Sequence, residues 1–178
     1  GCKNTDTAKV VVNDLPTVSI IGTNPICVNG TATLTPTTGG AWASSNDSLA
    51  TVTNTGEVRG VSPGSATFTF TDGNGCQSTT GAVTVQPLPI ASIFGGGTFC
   101  MEASPTLSVE LSGNPPYTLE YTVAGMGTQI RTATTSPAAV EIPAMTAGEV
   151  RLGKVTDGNS CTQTQFVVSA AVVSRFPR

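Results

Sequence analysis

Leu15-Pro16-Thr17-Val18-Ser19-Ile20-Ile21-Gly22 and, 73 residues further on, Leu88-Pro89-Ile90-Ala91-Ser92-Ile93-Phe94-Gly95 are one phrase written twice. Each copy is a hydrophobic residue and a proline, then a run of strand formers, then glycine. The same offset carries Cys27 onto Cys100. A third pair, Phe176-Pro177, stands near the end, and all three pairs follow valine-rich runs: Ala8–Val12, Ala82–Gln86 and Phe166–Val173. A second echo lies upstream of the later pairs. Asp72-Gly73-Asn74-Gly75-Cys76 matches Asp157-Gly158-Asn159-Ser160-Cys161 at an offset of 85, and Gly1-Cys2 reads as the tail of the same signal. Internal repeats set architecture before any other signal does. They divide the chain into residues 1–15, the last strand of a preceding module; 16–87, module 1; 88–176, module 2; and 177–178, the start of a following module. Leu15, Pro16, Leu88, Pro89, Phe176 and Pro177 are then the linkers, where proline's fixed φ restricts bending.

Composition agrees with many short strands. Of the 178 residues only 11% are charged, while 20 are Gly and 12 are Pro. β-Branched residues dominate the apolar runs, and turn formers separate them. The net charge is −3, and the 8 Lys+Arg are scattered, so the chain lacks the basic cluster that a nucleic-acid partner requires. No apolar run approaches the ~20 residues of a membrane-spanning helix, so no membrane insertion is expected of this segment.

Thr31-Ala32-Thr33-Leu34-Thr35 and Thr67-Phe68-Thr69-Phe70-Thr71 alternate, which predicts half-buried strands with threonine outward. Further strands are expected at Thr17–Ile21, Ala41–Ser44, Leu49–Thr53, Glu57–Gly60 and Thr79–Val85. Turns fall at Gly39-Gly40, Asn54-Thr55-Gly56, Ser62-Pro63-Gly64 and Asp72-Gly73-Asn74-Gly75. About seven short strands so spaced predict a β-sandwich.

Five cysteines at repeated positions suggest disulfides in an oxidising compartment. Under the repeat, Cys27 pairs with Cys76 and Cys100 with Cys161. Cys2 takes the place of Cys76 in the preceding module, so its partner lies outside this chain. Each bridge would close a loop of roughly 50–60 residues and contribute about 4 kcal/mol by chain entropy. Zinc is the competing use of the thiols, but the chain has no histidine and no Cys-x-x-Cys.

The segments Trp42-Ala43-Ser44-Ser45-Asn46, Leu49-Ala50-Thr51-Val52 and Gly56-Glu57-Val58-Arg59-Gly60-Val61-Ser62-Pro63-Gly64-Ser65-Ala66-Thr67-Phe68-Thr69 occur in that order. Together they resemble the bacterial group 2 immunoglobulin-like domain. The resemblance covers about half of module 1. It implies an all-β sandwich serving as a spacer or adhesive module of a bacterial surface protein. Module 2 has no tryptophan and carries Asn114-Pro115-Pro116-Tyr117-Thr118-Leu119-Glu120-Tyr121-Thr122-Val123 instead. With the Asp-Gly-Asn-x-Cys turn and the Leu-Pro linker, that segment is similar to the Ig-like repeats of very large secreted adhesins of Bacteroidota, gliding-motility adhesins included. The expected fold is therefore all-β, as tandem immunoglobulin-like β-sandwich modules.

Chemistry is hard to find. Without histidine the usual general base and zinc ligand are missing, and the three lysines make no Ser-x-x-Lys pattern. The eleven carboxylates are dispersed singly over different strands and turns, which argues against a glycosidase dyad. Lys9 is the one candidate for an isopeptide crosslink, and an outward-facing Lys9 is the simpler expectation. Trp42 could stack on a sugar, but a lone tryptophan on a sandwich strand reads as a core anchor. Tyr117, Leu119, Tyr121 and Val123 share one face at period two and also read as core. Asp72/Asn74 and Asp157/Asn159 could help hold Ca²⁺, although an Asp-Gly-Asn sequence is first of all a turn. The rows Thr31/Thr33/Thr35 and Thr67/Thr69/Thr71 would make an ice-binding face only if they lay side by side on a flat sheet. Asp6-Thr7-Ala8 and Asp47-Ser48-Leu49 fit an Asp-Ser/Thr-apolar pattern for O-glycosylation at Thr7 and Ser48.

These readings predict no enzyme and no resident cofactor. They predict a structural spacer of an extracellular array or surface filament on a bacterial cell, its partners being the neighbouring modules of the same array. The competing expectation is a module that itself recognises surface glycans or other array copies. The two differ in one observable: recognition needs exposed aromatics or a polar pocket, whereas a spacer presents a threonine-rich surface.

Overall fold

A strand with one buried face must alternate, and β3 (Thr31–Thr35) does. Ala32 and Leu34 are buried while Thr31 and Thr33 face outward. The computed structural model describes residues 9–100, 102–143 and 146–176, all of them strand, turn or loop. The chain divides into two compact units, Gly1–Val85 and Gln86–Arg178.

The strands of module 1 follow β1 (Ser19–Ile21) and β2 (Ile26–Cys27) with β3, β4 (Gly40–Ser44), β5 (Ala50–Val52) and β6 (Glu57–Gly60). Then come β7 (Gly64–Ala66), β8 (Phe68–Asp72), β9 (Gln77–Thr79) and β10 (Val83–Gln86). They form three sheets, ordered β1-β3-β6-β5, β2-β10-β7 and β4-β8-β9. Leu34 and Val58 from the first sheet, Val83 and Val85 from the second, and Trp42, Phe68 and Phe70 from the third make one core. Trp42 is thus a core anchor: its ring centroid lies 5.1 Å from that of Phe70. Its indole N–H donates to the carbonyl of Pro36 at 2.9 Å, so burial leaves no unpaired donor.

Two expectations need correction here, and one conditional reading is settled. The run expected as one strand from Thr79 to Val85 breaks at Thr80, a buried polar residue. Its backbone N–H donates to the Phe68 carbonyl, and its hydroxyl accepts from the Phe68 N–H at 3.1 Å and donates to the Gly81 carbonyl. On the other side Ser45 bonds both backbone groups of Thr67. Two side-chain hydroxyl residues therefore satisfy the backbone where β7 gives way to β8. Second, residues 9–12 form no strand; Val10, Val11 and Val12 lie exposed and find no sheet partner among the described residues. The two threonine rows lie in different sheets, so they do not form one face.

Module 2 runs β11 (Ile90–Phe94), β12 (Gly97–Phe99), β13 (Thr106–Ser112), β14 (Tyr117–Val123) and β15 (Gly127–Ala133). β16 (Ala138–Glu141), β17 (Gly148–Thr156), β18 (Thr162–Gln163) and β19 (Ala170–Arg175) complete it. One sheet is ordered β11-β13-β16; the other β12-β19-β17-β14-β15, with β18 on β17. Tyr117, Leu119 and Val123 are buried and Tyr121 packs against the same core. Between Glu120 and Tyr121 the register with β17 slips by one residue, which leaves Gly153 as the bulged position. β12 pairs with β19 in parallel, Gly97 opposite Val173 and Phe99 opposite Arg175.

Candidate functional site: the poles of each module

Each module has a leading pole, where the chain arrives, and a trailing pole, where it leaves. In module 1, β1 runs antiparallel to β3 with Ser19 opposite Thr35, so the chain arrives beside Thr35. Gly40 pairs with Asp72 at that same end. There Asp72 closes the predicted turn: its Oδ1 accepts from the N–H groups of Asn74 and Cys76, both at 2.8 Å. Gly75, at φ 84, takes the left-handed position that the reversal needs. At the trailing pole, β10 reaches Val85 opposite Gly64. Asn24 holds the segment before β2 against β10, donating to the Ala82 carbonyl and accepting from the Thr84 N–H. A Cβ on Gly60 would sit 2.8 Å from the Cys27 carbonyl oxygen and 2.9 Å from a Val85 methyl. Only glycine lets Cys27 and Val85 approach across that strand end.

Module 2 repeats the plan with different residues. Its leading pole is organised by Asp157, which is 6% exposed. Oδ1 accepts from the N–H groups of Asn159 (2.9 Å) and Cys161 (3.0 Å), and Oδ2 from that of Asn114 (3.3 Å). Gly113 lies between this carboxylate and Pro89; a Cβ there would meet Asp157 Oδ2 at 3.3 Å and Pro89 Cα at 3.4 Å. At the trailing pole Arg175 gathers carbonyls from two loops, the one between β12 and β13 and the one between β16 and β17. Nε donates to Thr146 at 2.7 Å, Nη1 to Cys100 at 3.0 Å and Ala103 at 2.9 Å, and Nη2 to Pro143 at 3.2 Å. Nothing in the sequence singled out Arg175, because its partners are 29 to 75 residues away.

This geometry overturns the expected cysteine pairs. Cys76 and Cys100 are free thiols, whereas Cys27 and Cys161 are disulfide-bonded. The reason is the poles. Cys76 sits at the Asp72 end of β8, but Cys27 lies near Gly60 and Val85, at the end where β8 begins. The four steps of β8 span about 13 Å, well beyond the ~7 Å limit for bonded Cα atoms. In module 2 Cys100 lies beside Arg175, at the Gly148 end of β17, and Cys161 follows the Thr156 end. The eight steps of β17 separate them by about 27 Å. Neither Cys27–Cys76 nor Cys100–Cys161 can form.

The other candidates fall as follows. Cys2, Thr7 and Pro177 lie outside the described residues. Ser48 is exposed on the turn before β5, its N–H held by Asn46 Oδ1 at 3.0 Å. Leu15 and Phe176 are exposed, Pro16 and Leu88 half-buried and Pro89 buried. Lys9 is exposed, as the simpler expectation had it. The Asp72 and Asp157 carboxylates, read first as turn residues and second as possible Ca²⁺ ligands, accept from backbone N–H groups. Among the described residues no group of three or more acidic, cysteine or histidine side chains is placed to share a metal. Ion pairs join Arg151 to Glu149 at 2.8 Å and Lys154 to Glu120, both on the surface, where such pairs contribute little.

No curated protein sequence matches this chain significantly. Among solved structures it is similar to domains 4 and 5 of the S-layer protein SbsC, at 16% identity over 93% of this chain and 100% of that one, with a TM-score of 0.40. It is also similar to extracellular domains 3–5 of Drosophila OTK, at 12% identity over 85% of this chain and 58% of that one, TM-score 0.44. A third is the Bacteroides ovatus SGBP-B of a mixed-linkage glucan utilization locus, in complex with a mixed-linkage heptasaccharide. There the identity is 15% over 85% of this chain and 42% of that one, with a TM-score of 0.29. The chain is an all-β protein of Ig-like sandwich modules, and its residues 7–83 match the bacterial Ig-like domain (group 2) family.

Proposed function

We propose that this chain is a non-enzymatic spacer segment of a longer array of Ig-like modules on the surface of a bacterial cell, of the kind found in adhesins or surface filaments. The observation that carries the reading is polar: in each module the chain arrives at one end of the sandwich and leaves at the other. Every module then adds its own length to the path between the ends. In module 2 the parallel pairing of β12 with β19 means that tension applied to the two ends shears this ladder. Its hydrogen bonds must yield together instead of one by one. The disulfide state of Cys27 and Cys161 fits an oxidising, extracellular compartment.

The competing reading, glycan recognition, finds less support. Trp42 and Tyr117 are buried, and the aromatics at the surface are single residues such as Phe94, 43% exposed, and Phe176, 58% exposed. Single-molecule pulling in reductant tests the spacer. Two discrete force peaks are expected, each followed by an extension of roughly 250–300 Å, the contour of one module at ~3.4 Å per residue. Gradual lengthening without peaks would sink it. Binding on a glycan array that is lost in Phe94→Ala would establish recognition instead.

A further inference from the structure

The two modules differ in which pole carries the bonded cysteine. Cys27, at the trailing pole of module 1, and Cys161, at the leading pole of module 2, are disulfide-bonded. Their repeat equivalents are free: Cys100 at the trailing pole of module 2, exposed, and Cys76 at the leading pole of module 1, half-buried. One trailing pole and one leading pole thus already carry a bonded cysteine, at positions equivalent to those of the free pair. The free pair lie at the pole where the chain enters module 1 and at the pole where it leaves module 2.

We propose that Cys76 and Cys100 are staple points, each forming a disulfide with the opposite-pole cysteine of the adjoining Ig-like module. Cys100 takes the leading-pole cysteine of the module that follows, and Cys76 takes the trailing-pole cysteine of the module that precedes. The inference rests on the array reading. Reach is adequate. The Phe176 N–H donates to the Phe99 carbonyl at 3.1 Å, so the chain leaves module 2 beside Cys100. From the linker residue Leu15, the repeat equivalent of Phe176, four residues lead to Ser19 and the leading pole, which is at most about 14 Å of chain. Arg175, bonded to the Cys100 carbonyl, holds that thiol at the pole. In the step itself two thiols become one S–S bond. The two protons and two electrons pass to the disulfide of a thiol oxidoreductase, which leaves as its dithiol.

The test is a tandem of the chain in which Arg175 of one copy is followed directly by Leu15–Arg178 of a second, produced in an oxidising compartment. Peptide mapping without reduction is expected to join Cys100 of the first copy to Cys76 of the second. Maleimide then labels two of the four Cys76 and Cys100 thiols, and a Cys76→Ser change in the second copy restores labelling of the first copy's Cys100. Four labelled thiols in a tandem whose modules all melt cooperatively would overturn the staple and leave the array reading standing. Junction modules that fail to fold would overturn both.

Discussion

Module 1 packs three small sheets, none with a strand longer than five residues, around Trp42, Phe68 and Phe70. Module 2 packs two larger sheets, with strands of seven and nine residues, around leucine, isoleucine and valine with a single buried tyrosine. One is held by aromatic volume, the other by ladder length. Both nevertheless place an Asp-Gly-Asn turn at the leading pole and a backbone-locked cysteine at the trailing pole. What the pair of modules holds constant is the ends, and what it varies is the filling.

The comparison can be broken at the core first. Phe68, fully buried, is expected to cost roughly 3–5 kcal/mol when cut to alanine. Because its contacts all lie in module 1, calorimetry should show one transition lowered or lost and a second unchanged. A common shift of both transitions would mean that the modules do not fold separately. Arg175→Ala comes next, at roughly 2–3 kcal/mol in module 2 alone, since four carbonyls lose a charged donor. Arg175→Lys should recover only part of this, because an ammonium cannot spread over both loops as the guanidinium does.

The turns give a finer comparison. Asp157 is buried and serves three N–H groups, whereas Asp72 is half-buried and serves two. Denaturant unfolding should therefore show a loss of about 2 kcal/mol for Asp157→Ala and about 1 kcal/mol for Asp72→Ala. Equal losses would show that burial of the carboxylate does not matter. The smallest effect is at Ser160, which holds φ 64 where module 1 has Gly75. Ser160→Gly should raise the stability of module 2 by up to about 1 kcal/mol, and a loss would show that the serine is not strained.

Much of this was legible in the chain. The alternation at Thr31–Thr35 located a buried face. The Asp72 and Asp157 turns were readable because an Asx side chain binds backbone two residues on, a local effect. The break at Thr80 was not readable, since a threonine in a strand-like run ordinarily points outward, and only the mismatch between β7 and β8 turns it in. The poles were harder still. Pairing Cys27 with Cys76 followed the repeat, but a bridge depends on which end of the sandwich each thiol occupies. That requires the direction of every strand between them. Arg175 belongs to the same class, its partners coming from loops that no local pattern links.

The claim that matters most is that no bridge closes within a module, and differential alkylation measures it. The folded 178-residue chain, by itself, is blocked with one iodoacetamide isotope, then reduced and labelled with another. The account predicts the first label on Cys76 and Cys100 and the second on Cys27 and Cys161. A second label on Cys76 or Cys100, with peptides joining Cys27 to Cys76 or Cys100 to Cys161, would contradict the assignment of the poles.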